Sequence, residues 1–345
     1  MSVRKLAVLL ALSLAGMGQA LAQTVTLKFH TFMAPQSVVW QEMHTVWMDK
    51  VEKESGGRIR FQRFPAMQLG GSPVNLYDQV RDGVADVIWT LPGYTPGRFP
   101  RSEVFELPFM MTDPEGTSRA YWQYVQAHAQ EEFKDVHVLA LHVHGPGTIH
   151  TRNRPVRAIE DLKGLKMRGP TRLTTRLLAS LGATPLGMPV PQIPDALSKG
   201  VIDGALLPWE VVPSIRVQEL TKHHAEFAPA LPALYTGTFV MAMNRAKYAA
   251  LPPELKKVID DNSGIEVSAW FGRTQAGGDA RGRAAAQERG NTVTRLGDAD
   301  YQAFRAAADR VDDDWVREME ARGQDGRKLL EAARALVRTH TPKRD

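Results

Sequence analysis

The stretch "GLKMRGPT", Gly164 to Thr171, sets one guanidinium between a methionine and a glycine-proline pair. Leu165 and Met167 alternate as in a half-buried strand, and Gly169-Pro170 stop that strand directly after Arg168. An arginine at the end of a strand can point into a crevice. There its planar fork binds a carboxylate through two charge-assisted hydrogen bonds, a geometry lysine cannot reproduce. The competing role is a structural ion pair, for which Glu160 and Asp161 of "IEDLKG" are the nearby acids.

Histidines form the other chemical cluster. In "LHVHGPGTIH", His142 and His144 fall on one face of a strand and His150 follows. As metal ligands they would want a carboxylate partner and a second shell of hydrogen bonds. Otherwise His142 is packed or solvated and His144 lies near a crevice as a hydrogen-bond donor. The adjacent pair in "KHHAEF" is directed apart by any regular backbone. The chain has no cysteine, which excludes disulfides, thiolate nucleophiles and cysteine-ligated zinc. It also lacks the G-x-S-x-G, H-E-x-x-H, Walker and G-x-G-x-x-G patterns, so no motif specifies covalent chemistry or a cofactor, and none is expected. Walls for a crevice around Arg168 are available in Phe32, Trp89, Tyr94 and Trp209, with Thr236 as a further polar candidate. Trp209 is the strongest of the aromatics, because Pro208 in "LLPWE" interrupts regular sheet pairing there.

The elements that must hold these residues alternate. "TVTLKFHTF" reads as a strand, and Ser37 caps a helix whose apolar positions run from Val39 to Val51. "RIRFQRF", "VADVIWTLP" and "DVHVLALHVH" are strands separated by helices, the signature of a mostly parallel sheet with helices on its faces. "LYDQVRDGVADVIW" and "IPDALSKGVIDGALL" share one plan, a short helix closed by Gly83 or Gly200 and then an apolar strand near Asp86 or Asp203, which suggests two similarly wound halves. The C-terminal third is helical: one helix starts at "PPELKKVID" and runs long, and another spans "DADYQAFRAAADRVDDDWVREMEARG". Between them "ERGNTVTRLG" holds a short strand.

Arg4 and Lys5, the apolar run "LAVLLALSLAGMG" and "ALA" at Ala20 to Ala22 predict a signal peptide cleaved before Gln23. The run is shorter than the ~20 residues of a spanning helix. Removing the leader lowers the formal charge from +5 to +3, and the remaining basic residues are spread among acids, which argues against a nucleic-acid partner. About 320 residues remain, more than one core usually organises, which suggests two lobes.

Several ordered pieces together resemble the solute-binding proteins of tripartite ATP-independent periplasmic (TRAP) transporters: "AMQLGG", "VRDGVADVIW", "FPRSEVFELPFM", "IEDLKGLKMRGP", "LGATPLGMP", "ALSKGVIDGAL" and "ALPPELKKVI". The resemblance covers nearly all of the chain after the leader. It implies an α/β fold of two lobes joined by crossing strands, a long helix spanning both, and a cleft that closes on an organic acid. Lobe I is expected to hold residues 23–145 and about 239–276, and lobe II residues 146–238 and about 277–345. The resemblance also implies that Arg168 holds the ligand carboxylate, that the protein is a monomeric periplasmic carrier without enzymatic activity, and that it docks on a membrane permease. Two departures bear on the ligand. Where sialic-acid-binding members have an asparagine after the second helix-Gly-strand unit this chain has Leu207, and where they have a second arginine it has Thr148. Both changes remove polar capacity. The expected ligand is a hydrophobic monocarboxylate, an aromatic or branched 2-oxo or 2-hydroxy acid, whose second oxygen accepts from Thr148 or His144. The alternatives are an ABC-type receptor, which lacks the "LKMRGP" context, and a secreted hydrolase or lyase pairing His144 with Glu210.

Overall fold

The computed structural model describes residues 24–341. Strand and helix alternate through them, and the strands segregate into two sheets. The first has the order β2-β1-β3-β10-β4, formed by β1 (Val25–Thr31), β2 (Ile59–Phe64), β3 (Val87–Thr90), β4 (Val136–Val143) and β10 (Thr238–Asn244). The second has the order β11-β9-β5-β8-β6-β7, formed by β5 (Gly147–Thr151), β6 (Lys166–Gly169), β7 (Thr184–Gly187), β8 (Gly204–Pro208), β9 (His223–Phe227) and β11 (Thr292–Leu296). Both sheets are mostly parallel, as expected, and each carries one antiparallel strand. The antiparallel members are β10, which enters the first sheet from β9 of the second, and β5, which enters the second directly from β4 of the first. A strand that crosses between halves arrives from the far side and so runs against its new neighbours.

The repeated helix-glycine-strand plan is present in both halves. Helix Leu76–Arg81 ends before Gly83 (φ +79), and helix Ile193–Ser198 before Gly200 (φ +71), left-handed positions that glycine occupies without penalty. The two aspartates do the same work. The Asp86 carboxylate accepts the backbone N–H of Lys28 on β1 at 2.8 Å, and Asp203 accepts that of Lys166 on β6 at 2.9 Å. Each aspartate's own N–H returns to the same residue's carbonyl. β3 follows Asp86 and lies parallel to β1; β8 follows Asp203 and lies parallel to β6. By this correspondence β6, with Arg168, is the counterpart of β1.

Ser37 Oγ accepts the N–H of Trp40, and the helical segment Val39–Glu54 buries Val39, Met43, Trp47 and Val51 against the first sheet. Trp47 packs on Phe29 and Phe61 while its indole N–H donates to the Asn262 carbonyl, so a large apolar area is buried with its one polar atom satisfied. The long C-terminal helix expected from "PPELKKVID" is interrupted. It stops at Asp261, turns through Gly264 (φ +91), and restarts as Ile265–Gly277. That helix packs on β4 and on helix Pro114–Tyr124; after Gly278 the chain continues as helix Asp279–Glu288, which packs on the turn Trp209–Val211 beside the second sheet. The pair spans both sheets. Helix Asp298–Ala321 lies on helix Arg172–Ser180, and helix Gly326–His340 returns to helix Pro114–Tyr124.

Candidate ligand-binding site

β6 is buried at Met167, Arg168 and Gly169, and the Arg168 side chain is 1% exposed. Its Nε donates to the Met188 carbonyl at 2.9 Å and its Nη1 to the Leu206 carbonyl at 2.9 Å, which fixes the plane of the fork. Nη2 is buried with no partner. The proposed structural ion pair does not form, because Asp161 instead accepts the N–H groups of Arg157 and Ala158 at the start of its own turn. Desolvation lowers the guanidinium below its ordinary pKa, opposed by the nearby Tyr94 and Tyr235 hydroxyls. A buried cation without an anion is expensive, and an anionic ligand is the natural compensation.

Arg168 opens on a narrow cavity between the two sheets. From the first half come Phe32, at the end of β1, with Trp89, Leu91, His144 and Phe239. The second half contributes Pro170, Val190, Leu207 and Pro208, together with Glu210 and Val211 of the tight turn Trp209–Val211. Tyr235, on the crossing segment between β9 and β10, and Gln275, on helix Ile265–Gly277, complete it. The aromatic wall is continuous: Phe32 lies 5.4 Å from Trp89, which stacks on Phe239 at 4.4 Å. Tyr235 fits only because β5 begins with glycine, since a Cβ on Gly147 would sit 1.9 Å from its ring.

The cavity is shut by contacts between the halves. The Val190 N–H donates to Tyr94 Oη at 3.1 Å, Gln36 Nε2 to the Ser214 carbonyl at 2.9 Å, and Arg172 Nε to Glu103 at 2.5 Å.

Four buried polar atoms of the lining have no partner: Arg168 Nη2, Tyr235 Oη, Glu210 Oε2 and Gln275 Oε1. Buried polar groups are nearly always paired, so four orphans around one cavity mark the place where a ligand's polar atoms belong. They form two groups. Glu210 and Gln275 are joined by a hydrogen bond of 2.6 Å, and Arg168 lies near Tyr94 and Tyr235; the Tyr235 hydroxyl also feels Glu210 and Asp279, so the two groups adjoin. Burial pushes the Glu210 carboxyl up to about 8.

Of the residues singled out by sequence, the structure gathers Arg168, Phe32, Trp89, His144 and Leu207 around this cavity. Tyr94 stands just behind them, its ring 5.6 Å from Phe32. His144 has no capacity left for a ligand: its Nδ1 is 2.5 Å from the Gly145 carbonyl and its Nε2 accepts the Gly237 N–H at 2.9 Å. Burial lowers its pKa to about 4, so it is a neutral wall residue and neither the expected donor nor the base a hydrolase would need. Thr236 serves it, donating to the His144 carbonyl at 2.8 Å, and is not in the lining. Thr148 and Trp209 are also displaced. β8 lies between β5 and β6, so Thr148, paired with Leu207, is two strands from Arg168 and lines a separate recess. The turn after Pro208 swings Trp209 into that same recess, where its indole N–H donates to Glu226 at 2.8 Å and its ring packs on His150 and His224. The other histidines do not converge as metal ligands: His142 Nε2 accepts from the Trp89 indole, and His150 pairs with His224.

Sequence reading did not single out Tyr235, Gln275 and Phe239, which line the cavity. Tyr235 and Thr236 are neighbours on an extended segment, so choosing one misplaces the other side. The available signal was Gly147, whose missing side chain makes room for a ring.

Two α/β halves joined by crossing strands close over a cavity whose buried guanidinium has one nitrogen without a partner, the arrangement of a two-lobed solute receptor. The sequence profile of the family described as bacterial extracellular solute-binding protein, family 7 (DctP) matches residues 29–318, and the chain belongs to that family. It is a solute-binding protein of the TRAP type. A TRAP solute-binding protein from Rhodoferax ferrireducens T118, solved with copurified benzoate, is 64% identical, covers 92% of this chain and 98% of its own, and superposes with a TM-score of 0.91. One from a marine metagenome, described as specific for aromatic acid ligands and solved with 3-hydroxybenzoate, is 44% identical over 93% of this chain and 100% of its own, with a TM-score of 0.91. A third, from Bordetella bronchiseptica with bound (R)- and (S)-mandelate, is 28% identical over 91% of this chain and 99% of its own, with a TM-score of 0.83.

Proposed function

We propose that the protein captures an aromatic monocarboxylate in the periplasm, closes over it, and delivers it unchanged to the membrane permease of a TRAP transporter. The observation that carries this reading is the single uncompensated guanidinium at one end of a cavity walled by Phe32, Trp89, Phe239 and Leu207. One carboxylate satisfies Arg168 Nη2 and takes the Tyr235 hydroxyl as a second donor. A planar ring then lies among the aromatic and aliphatic side chains, where burying an apolar group of that size stabilises the complex by roughly 1.5–3 kcal/mol. A second ionised carboxylate would be desolvated with no cation in the lining to meet it, at a cost of several kcal/mol. The aromatic acids held by the three related structures support this choice. Release without chemistry is supported by His144, whose two ring nitrogens are both engaged by backbone groups.

A thermal-shift panel tests the reading. Benzoate, mandelate, benzoylformate and phenylpyruvate are expected to raise the melting temperature more than succinate, malate or sialic acid, and the bound acid to be recovered unaltered. If succinate or sialic acid gives the largest shift, the apolar wall is not the specificity element and the reading fails.

A further inference from the structure

Resting on the reading of an aromatic acid held at Arg168, we infer that Glu210 and Gln275 form a second subsite in the same cavity, which recognises a hydroxyl group on the ligand's ring. Both side chains are almost fully buried, at 3% and 2% exposure, and both line the cavity. Gln275 Nε2 donates to Glu210 Oε1 at 2.6 Å. That contact orients the pair and leaves Glu210 Oε2 and Gln275 Oε1 as the two remaining buried atoms. The position is rigid: the Glu210 N–H donates to Asp279 Oδ1 at 2.9 Å, and Gly278 brings the helix backbone against Glu210, since a Cβ there would lie 2.8 Å from the glutamate's own Cβ.

A hydroxyl is both donor and acceptor, and the pair offers one of each. Burial favours the neutral form of Glu210, and with Oε1 occupied as an acceptor its proton sits on Oε2. Oε2–H donates to the ligand hydroxyl oxygen, and the ligand O–H donates to Gln275 Oε1. No net charge is added to a cavity that already pairs Arg168 with the carboxylate. A site built to hydrogen-bond a hydroxyl discriminates against the analogue that lacks it, because the site's own groups are then left unpaired.

The test is the ratio of affinities, measured calorimetrically at pH 7, for the better of 3-hydroxybenzoate and 4-hydroxybenzoate over benzoate. The parent protein is expected to prefer the hydroxylated acid at least tenfold, and 3-methoxybenzoate, which cannot donate, to lose that advantage. In Glu210→Leu and in Gln275→Leu the ratio is expected to fall to about one, with folding checked by circular dichroism. Glu210→Gln retains a donor and an acceptor and is expected to keep part of the preference. A parent ratio near one, with benzoate bound, would mean that acid and amide satisfy each other, overturning the subsite while leaving the aromatic-acid reading standing. A preference that survives in both leucine variants would place the hydroxyl elsewhere and also overturn it. If none of these acids binds the parent, both readings fall together.

Discussion

At the scale of the residue, the account rests on the unequal use of one guanidinium. Two of its nitrogens donate to the Met188 and Leu206 carbonyls and the third, Nη2, is kept for a ligand. Arg168→Ala is expected to lose most affinity, because truncating one member of a buried charge pair costs roughly 2–5 kcal/mol. Arg168→Lys is not expected to restore it, since the single nitrogen of an ammonium cannot stand at the three positions of the guanidinium fork. A calorimetric affinity for benzoate within threefold of the parent in either variant would show that the arginine is structural. Tyr235→Phe removes one neutral donor, worth about 1 kcal/mol, and should weaken binding about fivefold without changing the fold. Arg168 was legible in sequence because strand alternation and the Gly-Pro stop fix where it points. Tyr235 and Gln275 were not, because they reach the cavity from a crossing segment and a distant helix, and only the tertiary arrangement brings them there. Thr148 and Trp209 show the converse error: Thr148 was chosen from its place in the family pattern and Trp209 from the proline before it, and one intervening strand and one turn separate them from Arg168.

At the scale of the element, the strands and the repeated unit were readable because each rests on local chemistry: alternating burial, a left-handed glycine and an aspartate that ties its strand to a neighbour. The mostly parallel sheets were readable from the alternation of strand and helix; the one reversed strand in each was not, because strand direction depends on which half a strand arrives from. The buried acids placed by these elements make stability depend on pH. Burial raises Glu106 and Asp279 to about 7 and Glu210 to about 8. The folded state therefore keeps protons that the unfolded chain has released, and stability falls as pH rises, each unbalanced proton weighing about 1.4 kcal/mol per pH unit. Buried histidines act the other way. His142 is lowered to about 3 and His144 and His150 to about 4, so the unfolded chain takes up protons below its ordinary value near 6.5 and stability is lost as pH falls. The two effects oppose one another between about pH 5 and 6.5 and leave the acids alone above it. The ligand-free protein is therefore expected to melt at a lower temperature at pH 8.5 than at pH 6.5, with a smaller decline in Glu210→Gln. A melting temperature that holds or rises over that interval would contradict the buried neutral acids.

At the scale of the whole molecule, the two halves are joined by the crossing strands, by the helix pair around Gly278, by helix Gly326–His340 packing back on helix Pro114–Tyr124, and by side chains that close over the cavity. The architecture of two lobes was legible from chain length and the repeated unit; the contacts that shut it were not, since Gln36–Ser214, Tyr94–Val190 and Glu103–Arg172 join residues far apart in sequence. A ligand that bridges Arg168 on one half and Trp89 on the other favours the closed arrangement by its differential affinity for it. Small-angle scattering is expected to show compaction on adding saturating benzoate, with a change in Trp89 emission; an unchanged radius of gyration would argue against a hinge. The central claim is that an aromatic carboxylate enters this cavity carboxylate-first toward Arg168, and a crystal structure of the protein grown with benzoate tests it most directly. The expected density places a carboxylate oxygen within about 3 Å of Arg168 Nη2, the other oxygen toward Tyr235 Oη, and the ring between Phe32, Trp89 and Leu207. A cavity empty at saturating benzoate, or a benzoate bound with its carboxylate away from Arg168, would contradict the account.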